Sequence, residues 1–208
     1  MKKTRVLVVD DHPMVRIGLL ESIGSTPDLE VVGEAPNGAT AIEIFKKKNP
    51  NVVLMDFQMP GLNGVETTDI LREEFPEARV ILLSIYEGEE DIWRAAQAGV
   101  MGYLPKSSEM KEILDAIRKV AGGETAFPEQ ILSKLNERRT RSDFTPRELE
   151  VLQLIVAGRS NKEISYELKV SDGLVRLYVS RVLTRLGVLD RTQAAVQAIQ
   201  RGLVHLNT

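Results

Sequence analysis

Five short apolar runs alternate with five helical stretches over the first 122 residues, and this alternation restricts the fold more than any other feature of the chain. The third run shows why. Val52-Val53-Leu54-Met55 is four apolar residues, two of them β-branched, leading straight into Asp56. A run that short reads as a strand buried on both faces, the pattern of a parallel sheet. The other runs are Thr4 to Val9, Leu29 to Val32, Arg79 to Ser84 and Met101 to Leu104. Between them lie helical patterns: from Pro13 with Val15, Leu19, Leu20 and Ile23 on one face, Ala39 to Lys48, a stretch after Asn63, Glu89 to Ala98, and Glu109 to Val120. Asn63 with Glu66 three residues on makes a capping box. The expected fold class is α/β, a five-stranded parallel doubly wound sheet with helices on both faces.

Polar residues then fall on one edge of that sheet. Asp10 and Asp11 follow the first strand, Asp56 and Ser84 end the third and fourth, and Lys106 follows the fifth. The carboxyl edge of an open α/β sheet is where ligands bind. Three carboxylates so close repel one another, and one would protonate unless a cation joined them. Oxygen-only ligands suit Mg²⁺, which keeps several waters and needs few carboxylates. A nucleophilic carboxylate beside such an ion is set up to accept a phosphoryl group, with Lys106 and the Ser84 hydroxyl holding its other oxygens. Asp11 reads both as a helix cap and as a ligand, and Tyr103 both as core and as part of a site. His12, alone at a helix start, reads as a surface residue and not as a ligand.

With no cysteine, disulfides and thiolate metal sites are excluded. No apolar run approaches a membrane span and the N-terminus lacks a signal-peptide pattern, so a cytoplasmic protein without membrane attachment is expected. Charge is uneven. Residues 1–123 hold 14 Lys and Arg against 20 Asp and Glu, and residues 124–208 hold 13 against 10. The halves differ in sign, as when an acidic module is joined to one that meets a polyanion.

A short helix from Pro128 to Asn136 and the charged stretch Glu137 to Ser142 make residues 123–142 a linker. Thr145-Pro146-Arg147-Glu148 then starts a helix that ends at Gly158, and Ser160-Asn161-Lys162-Glu163 repeats the box. A third helix runs from Asp172 to Leu186 and a fourth from Arg191 to Arg201. In the third, Val175, Val179, Val182 and Leu186 recur at core spacing, leaving Arg176, Leu177, Ser180 and Arg181 on the opposite face. Two helices joined by a tight turn, the second presenting basic residues, form a helix-turn-helix pattern. Such a helix fits the major groove of double-stranded DNA. Lys162, Arg185 and Arg191 are candidates for phosphate contact.

The combination Asp10-Asp11, Asp56, Ser84, Tyr103 and Lys106 resembles a response-regulator receiver domain, of the flavodoxin-like fold. Phe144-Thr145-Pro146-Arg147-Glu148-Leu149, Ser160-Asn161-Lys162-Glu163-Ile164, Leu186-Gly187-Val188 and Arg191-Thr192-Gln193-Ala194 closely resemble the LuxR-type DNA-binding domain. Together they resemble the NarL/FixJ class, with residues 1–122 as the receiver, 123–142 as linker and 143–208 as an all-α four-helix domain. The resemblance implies that Asp56 accepts a phosphoryl group from a sensor histidine kinase. It implies Mg²⁺ on Asp10 or Asp11, Asp56 and the Gln58 carbonyl. It makes Ser84 and Tyr103 the switch pair, Tyr103 turning inward on activation. The cis Lys-Pro corner of many receivers is absent, since Pro105 precedes Lys106 and Ser107 follows it. Leu174, Tyr178 and Ser180 depart from the usual recognition-helix residues.

The expected function is a phosphorylation-controlled transcription factor and not an enzyme. A homodimer forms on activation through Ala194, Ala195, Ala198 and Ile199, reads inverted half-sites, and has RNA polymerase as a further partner. A phosphatase of the haloacid-dehalogenase kind is the enzyme alternative, but Gln58 stands where such enzymes place an acid. A regulator whose helical half binds only protein is the third reading.

Overall fold

The computed structural model describes residues 3–86, 88–141 and 143–205, so Ser142 at the end of the linker lies outside the described residues. It divides into two compact units, residues 1–87 with 92–135 and residues 88–91 with 136–208.

In the first unit β1 (Thr4–Val9), β2 (Leu29–Ala35), β3 (Val52–Asp56), β4 (Val80–Ser84) and β5 (Gly102–Pro105) form one parallel sheet in the order β2-β1-β3-β4-β5. The connecting helices are α1 (Pro13–Gly24), α2 (Gly38–Lys48), α3 (Gly64–Glu74), α4 (Glu89–Gln97) and α5 (Met110–Ala121). Every residue of β3 and β4 is buried, as apolar runs without alternation require. Their side chains separate by parity onto two cores. Leu7, Val9, Val53, Met55 and Leu82 pack on one face, and Val6, Val8, Val52, Leu54, Ile81 and Leu83 on the other. β2 runs to Ala35, past the expected end at Val32, because a bulge opposite Val6 and Leu7 shifts its register and lets Gly33 to Ala35 continue the pairing.

The chain order reverses between β1 and β3, which opens a crevice at their carboxyl ends. Gly64 opens α3 behind that crevice. A Cβ there would stand 2.4 Å from the Asp56 carbonyl oxygen and 2.8 Å from Leu82 Cδ2. Gly64→Ala is therefore expected to lower stability by about 1–3 kcal/mol in urea unfolding, the usual cost of overpacking. An unchanged midpoint would show that the loop after β3 yields.

The sheet does not stop at β5. Ala126 forms a parallel bridge with Gly102: its N–H donates to the Met101 carbonyl at 2.8 Å, and its own carbonyl accepts from Tyr103 N–H at 3.3 Å. The next helix, α6 (Glu129–Arg139), places Ile131 and Leu135 in the same core as Val53 and Tyr103. The first unit thus continues past Gly122-Gly123, and the start of the expected linker belongs to its core.

The second unit holds α7 (Pro146–Val156), α8 (Asn161–Leu168), α9 (Asp172–Leu186) and α10 (Arg191–Gln200). Thr145 and Ser160 each close a capping box with Glu148 and Glu163. Val151, Leu152, Ile155, Ile164, Val175, Val182 and Ala198 make its core. Among the described residues, no helix is long and apolar enough to cross a membrane.

Candidate functional site

Asp10 and Asp56 emerge from adjacent strands, since β1 pairs with β3 up to Val9 and Met55. Both are buried, Asp10 fully and Asp56 to 4% exposure. The loop after β5 sends Lys106 across to them, with Lys106 N–H donating to the Ser84 carbonyl at 2.8 Å. Its Nζ lies 2.8 Å from Asp10 Oδ2 and 2.8 Å from Asp56 Oδ2. The Pro105-Lys106 corner therefore lets the ammonium reach both acids, and no peptide bond among the described residues is cis.

Burial pushes the Asp56 carboxyl up to about 6, against the lowering pull of Lys106; the Asp10 charge adds a smaller upward push. Burial works against the Lys106 ammonium too, but its hydrogen bonds to Asp10 and Asp56 outweigh that and hold its pKa above the ordinary lysine value. Asp11 and His12 complete a group with Asp10 and Asp56 whose potential ligand atoms all lie within 4.8 Å of one another. Three carboxylates against one ammonium leave a surplus of negative charge that one divalent cation balances. Asp11 Oδ1 faces His12 Nδ1 at 2.7 Å. Gln58, exposed beside the pocket, donates its backbone N–H to Asp56 Oδ1 at 3.3 Å.

Ser84 is buried at the end of β4, and its Oγ accepts from Tyr86 N–H at 2.8 Å. Tyr103 is fully buried, and its hydroxyl donates to the Tyr86 carbonyl at 2.7 Å. The inward position that the resemblance reserves for the activated state is already taken. Phe57 holds it there, its ring 5.9 Å from that of Tyr103 and edge-on to it. Sequence reasoning missed Tyr86, whose peptide joins Ser84 to Tyr103 through its N–H on one side and its C=O on the other. No side-chain pattern announces a role played by backbone.

On α9 the expected faces are present: Val175 and Val182 are fully buried, while Arg176, Leu177, Ser180 and Arg181 are exposed. Arg176 makes a surface pair with Asp172 at 2.8 Å, weak enough to exchange for another partner. Lys162 is exposed on α8. Two of the expected phosphate-contacting arginines are tied to the scaffold. Arg185 donates to the Asp143 carbonyl at 2.6 Å and stacks over Phe144, and Arg191 donates to the Arg159 carbonyl. On α10, Ala194 and Ala198 are fully buried within their own unit and are unavailable for pairing two chains. The Ala-Ala-x-x-Ala spacing faces inward, because small residues let α10 approach its neighbours. The outward face carries Val196 and Ile199, 49% and 39% exposed, and Ala195 lies between, packed against the core.

Residues 6–118 match the family model of the response regulator receiver domain, and residues 142–198 that of bacterial regulatory proteins of the luxR family. The response regulator protein VraR of Staphylococcus aureus strain Mu3 is 38% identical over 205 residues, spanning 96% of this chain and 98% of VraR. The crystal structure of the response regulator ChrA, from a heme-sensing two-component system, is 33% identical with a TM-score of 0.59, covering 98% of this chain and all of that one. An RcsB–DNA complex, 23% identical with a TM-score of 0.71 over 96% of this chain and 99% of its own, shares the fold. The chain belongs to the two-component response regulators that join a receiver domain to a luxR-family DNA-binding domain and act in transcription regulation.

Proposed function

We propose that Asp56 is the phosphoryl acceptor of this regulator, that a sensor histidine kinase is the donor, and that phosphorylation controls dimerisation and promoter binding. One observation carries the reading: a buried carboxylate at the sheet edge, bridged to Asp10 by the Lys106 ammonium at 2.8 Å on each side. Asp56 is ionised for the most part at neutral pH yet poorly hydrated, which leaves its oxygen a competent nucleophile. That oxygen attacks phosphorus, the P–N bond of the donor histidine breaks, and the imidazole leaves carrying a proton. Lys106 then holds a phosphoryl oxygen, and the Ser84 hydroxyl moves to donate to another. Asp10, Asp11, Asp56 and the Gln58 carbonyl would hold Mg²⁺, and the ion would neutralise the phosphoryl charge. Because the Tyr86 peptide also holds Tyr103, moving Ser84 loosens the ring at β5.

In the second domain Arg176, Leu177, Ser180 and Arg181 enter the major groove, and Lys162 positions the helix on phosphate. Arg185 and Arg191 serve mainly as scaffold. Dimer pairing on inverted half-sites uses Ile199 with Val196, and RNA polymerase is the further partner. The test is intact-mass analysis and band-shift binding with acetyl phosphate. The native chain should gain one phosphoryl group and bind DNA more tightly, and Asp56→Ala should do neither. Equal affinity in all four combinations sinks the switch. Arg176→Ala should cost about 1–3 kcal/mol of specific binding, whereas Lys162→Ala should weaken all sequences alike and flatten the salt dependence.

A further inference from the structure

One side chain at the acidic pocket is left over by the phosphoryl chemistry. His12 is the N-cap residue of α1, immediately after Asp10-Asp11. Its backbone N–H donates to Asp10 Oδ1 at 2.8 Å, which fixes it on the pocket rim. Its ring Nδ1 lies 2.7 Å from Asp11 Oδ1 and 3.6 Å from Asp10 Oδ1. His12 thus belongs with Asp10, Asp11 and Asp56 to one group whose potential ligand atoms all lie within 4.8 Å of one another. Two neighbouring ligands of an octahedral ion with bonds of about 2.1 Å stand roughly 3 Å apart. The two separations to Nδ1 lie on either side of that value. The ring is otherwise solvated, its side chain 66% exposed, while Nδ1 faces the acids.

We infer that His12 Nδ1 is a nitrogen donor to the cation held by Asp10, Asp11 and Asp56, and that it tilts the pocket toward divalent transition ions over Mg²⁺. The inference rests on the metal reading proposed above. Its chemistry is that of ligand preference. Magnesium takes oxygen and keeps its water, whereas Mn²⁺, Co²⁺ and Ni²⁺ gain increasingly from imidazole. Three carboxylates alone would hold any of these ions by charge. An added nitrogen raises affinity along that series and leaves magnesium nearly untouched. A His12 that merely steadied Asp11 would instead change affinity for all the ions by one common factor.

The experiment is calorimetric titration of the full metal-free chain with Mg²⁺, Mn²⁺, Co²⁺ and Ni²⁺, for the native protein and His12→Ala. Pulsed electron paramagnetic resonance of the Mn²⁺-loaded chains reads bound nitrogen directly. The variant should lose about 10-fold or more in Co²⁺ and Ni²⁺ affinity and less than about 3-fold for Mg²⁺. The native chain should show imidazole ¹⁴N modulation that His12→Ala lacks. Equal losses for all four ions, or Mn²⁺ bound without nitrogen modulation, overturn the His12 assignment and leave the carboxylate site standing. If neither Mg²⁺ nor Mn²⁺ binds the native chain, the metal reading itself falls, and this inference with it.

Discussion

Lys106→Met is expected to destabilise the receiver domain by about 3–5 kcal/mol at pH 7.5, the range seen when one partner of a buried ion pair is removed. The methionine fills the lysine stem's volume but leaves Asp10 and Asp56, both nearly inaccessible to water, with no cation between them. The sign of the pH dependence follows. The Lys106 pKa is raised, so on the alkaline side its stabilisation holds up to the ordinary lysine range and weakens above it, and on the acid side it lasts only while a partner carboxylate is charged. Without it, Asp56 is pushed still further up, and its share of the penalty disappears as that carboxyl takes a proton. Urea unfolding of native and variant chains in EDTA should diverge at neutral pH and converge toward pH 4. A difference that stayed flat with pH would mean that lost packing, and not charge, was responsible.

Asp56→Asn should act in the opposite direction. The carboxyl titrates near 3.8 when unfolded and at about 6 in the folded chain, chiefly through burial. Between those values the folded state holds a proton that the unfolded state has released, so stability falls as pH rises through the window. Above it the full cost, about 3 kcal/mol, is present. Asparagine removes the cost but also removes one of Lys106's two partners. A net gain of about 1–3 kcal/mol at pH 7.5 in EDTA, shrinking to nothing below pH 4, is the expected result. An asparagine variant less stable than the native chain at pH 7.5 would show that the Lys106 pair outweighs the burial.

The sheet and the acidic pocket were legible because β3 and β4 are buried along their whole length, and such strands must be written in unbroken apolar residues. Asp10, Asp56 and Lys106 could be placed together because parallel strands deliver their ends to one edge. What escaped the sequence was carried by backbone or by ambiguous spacing. Gly33 and Glu34 carry no strand signal, yet a bulge keeps them in the sheet. The link from Ser84 to Tyr103 runs through a peptide group. On α10 the small and the branched residues could each have faced inward, and packing against α7 and α9 chose the alanines. His12 is exposed, as a lone histidine at a helix start is expected to be, and its Nδ1 lies against Asp11.

The pairing of Ala126 with Gly102, together with the seating of Ile131 and Leu135, bears on where the molecule can be divided. A fragment stopped at residue 122 would keep every member of the acidic pocket. It would nevertheless bare the Tyr103 N–H and the Met101 carbonyl at the β5 edge and a hollow lined by apolar side chains, both invitations to stick to another copy. Self-association in such a fragment would then reflect the cut and not the signal, so the dimerisation proposed above is better measured on a piece that retains α6.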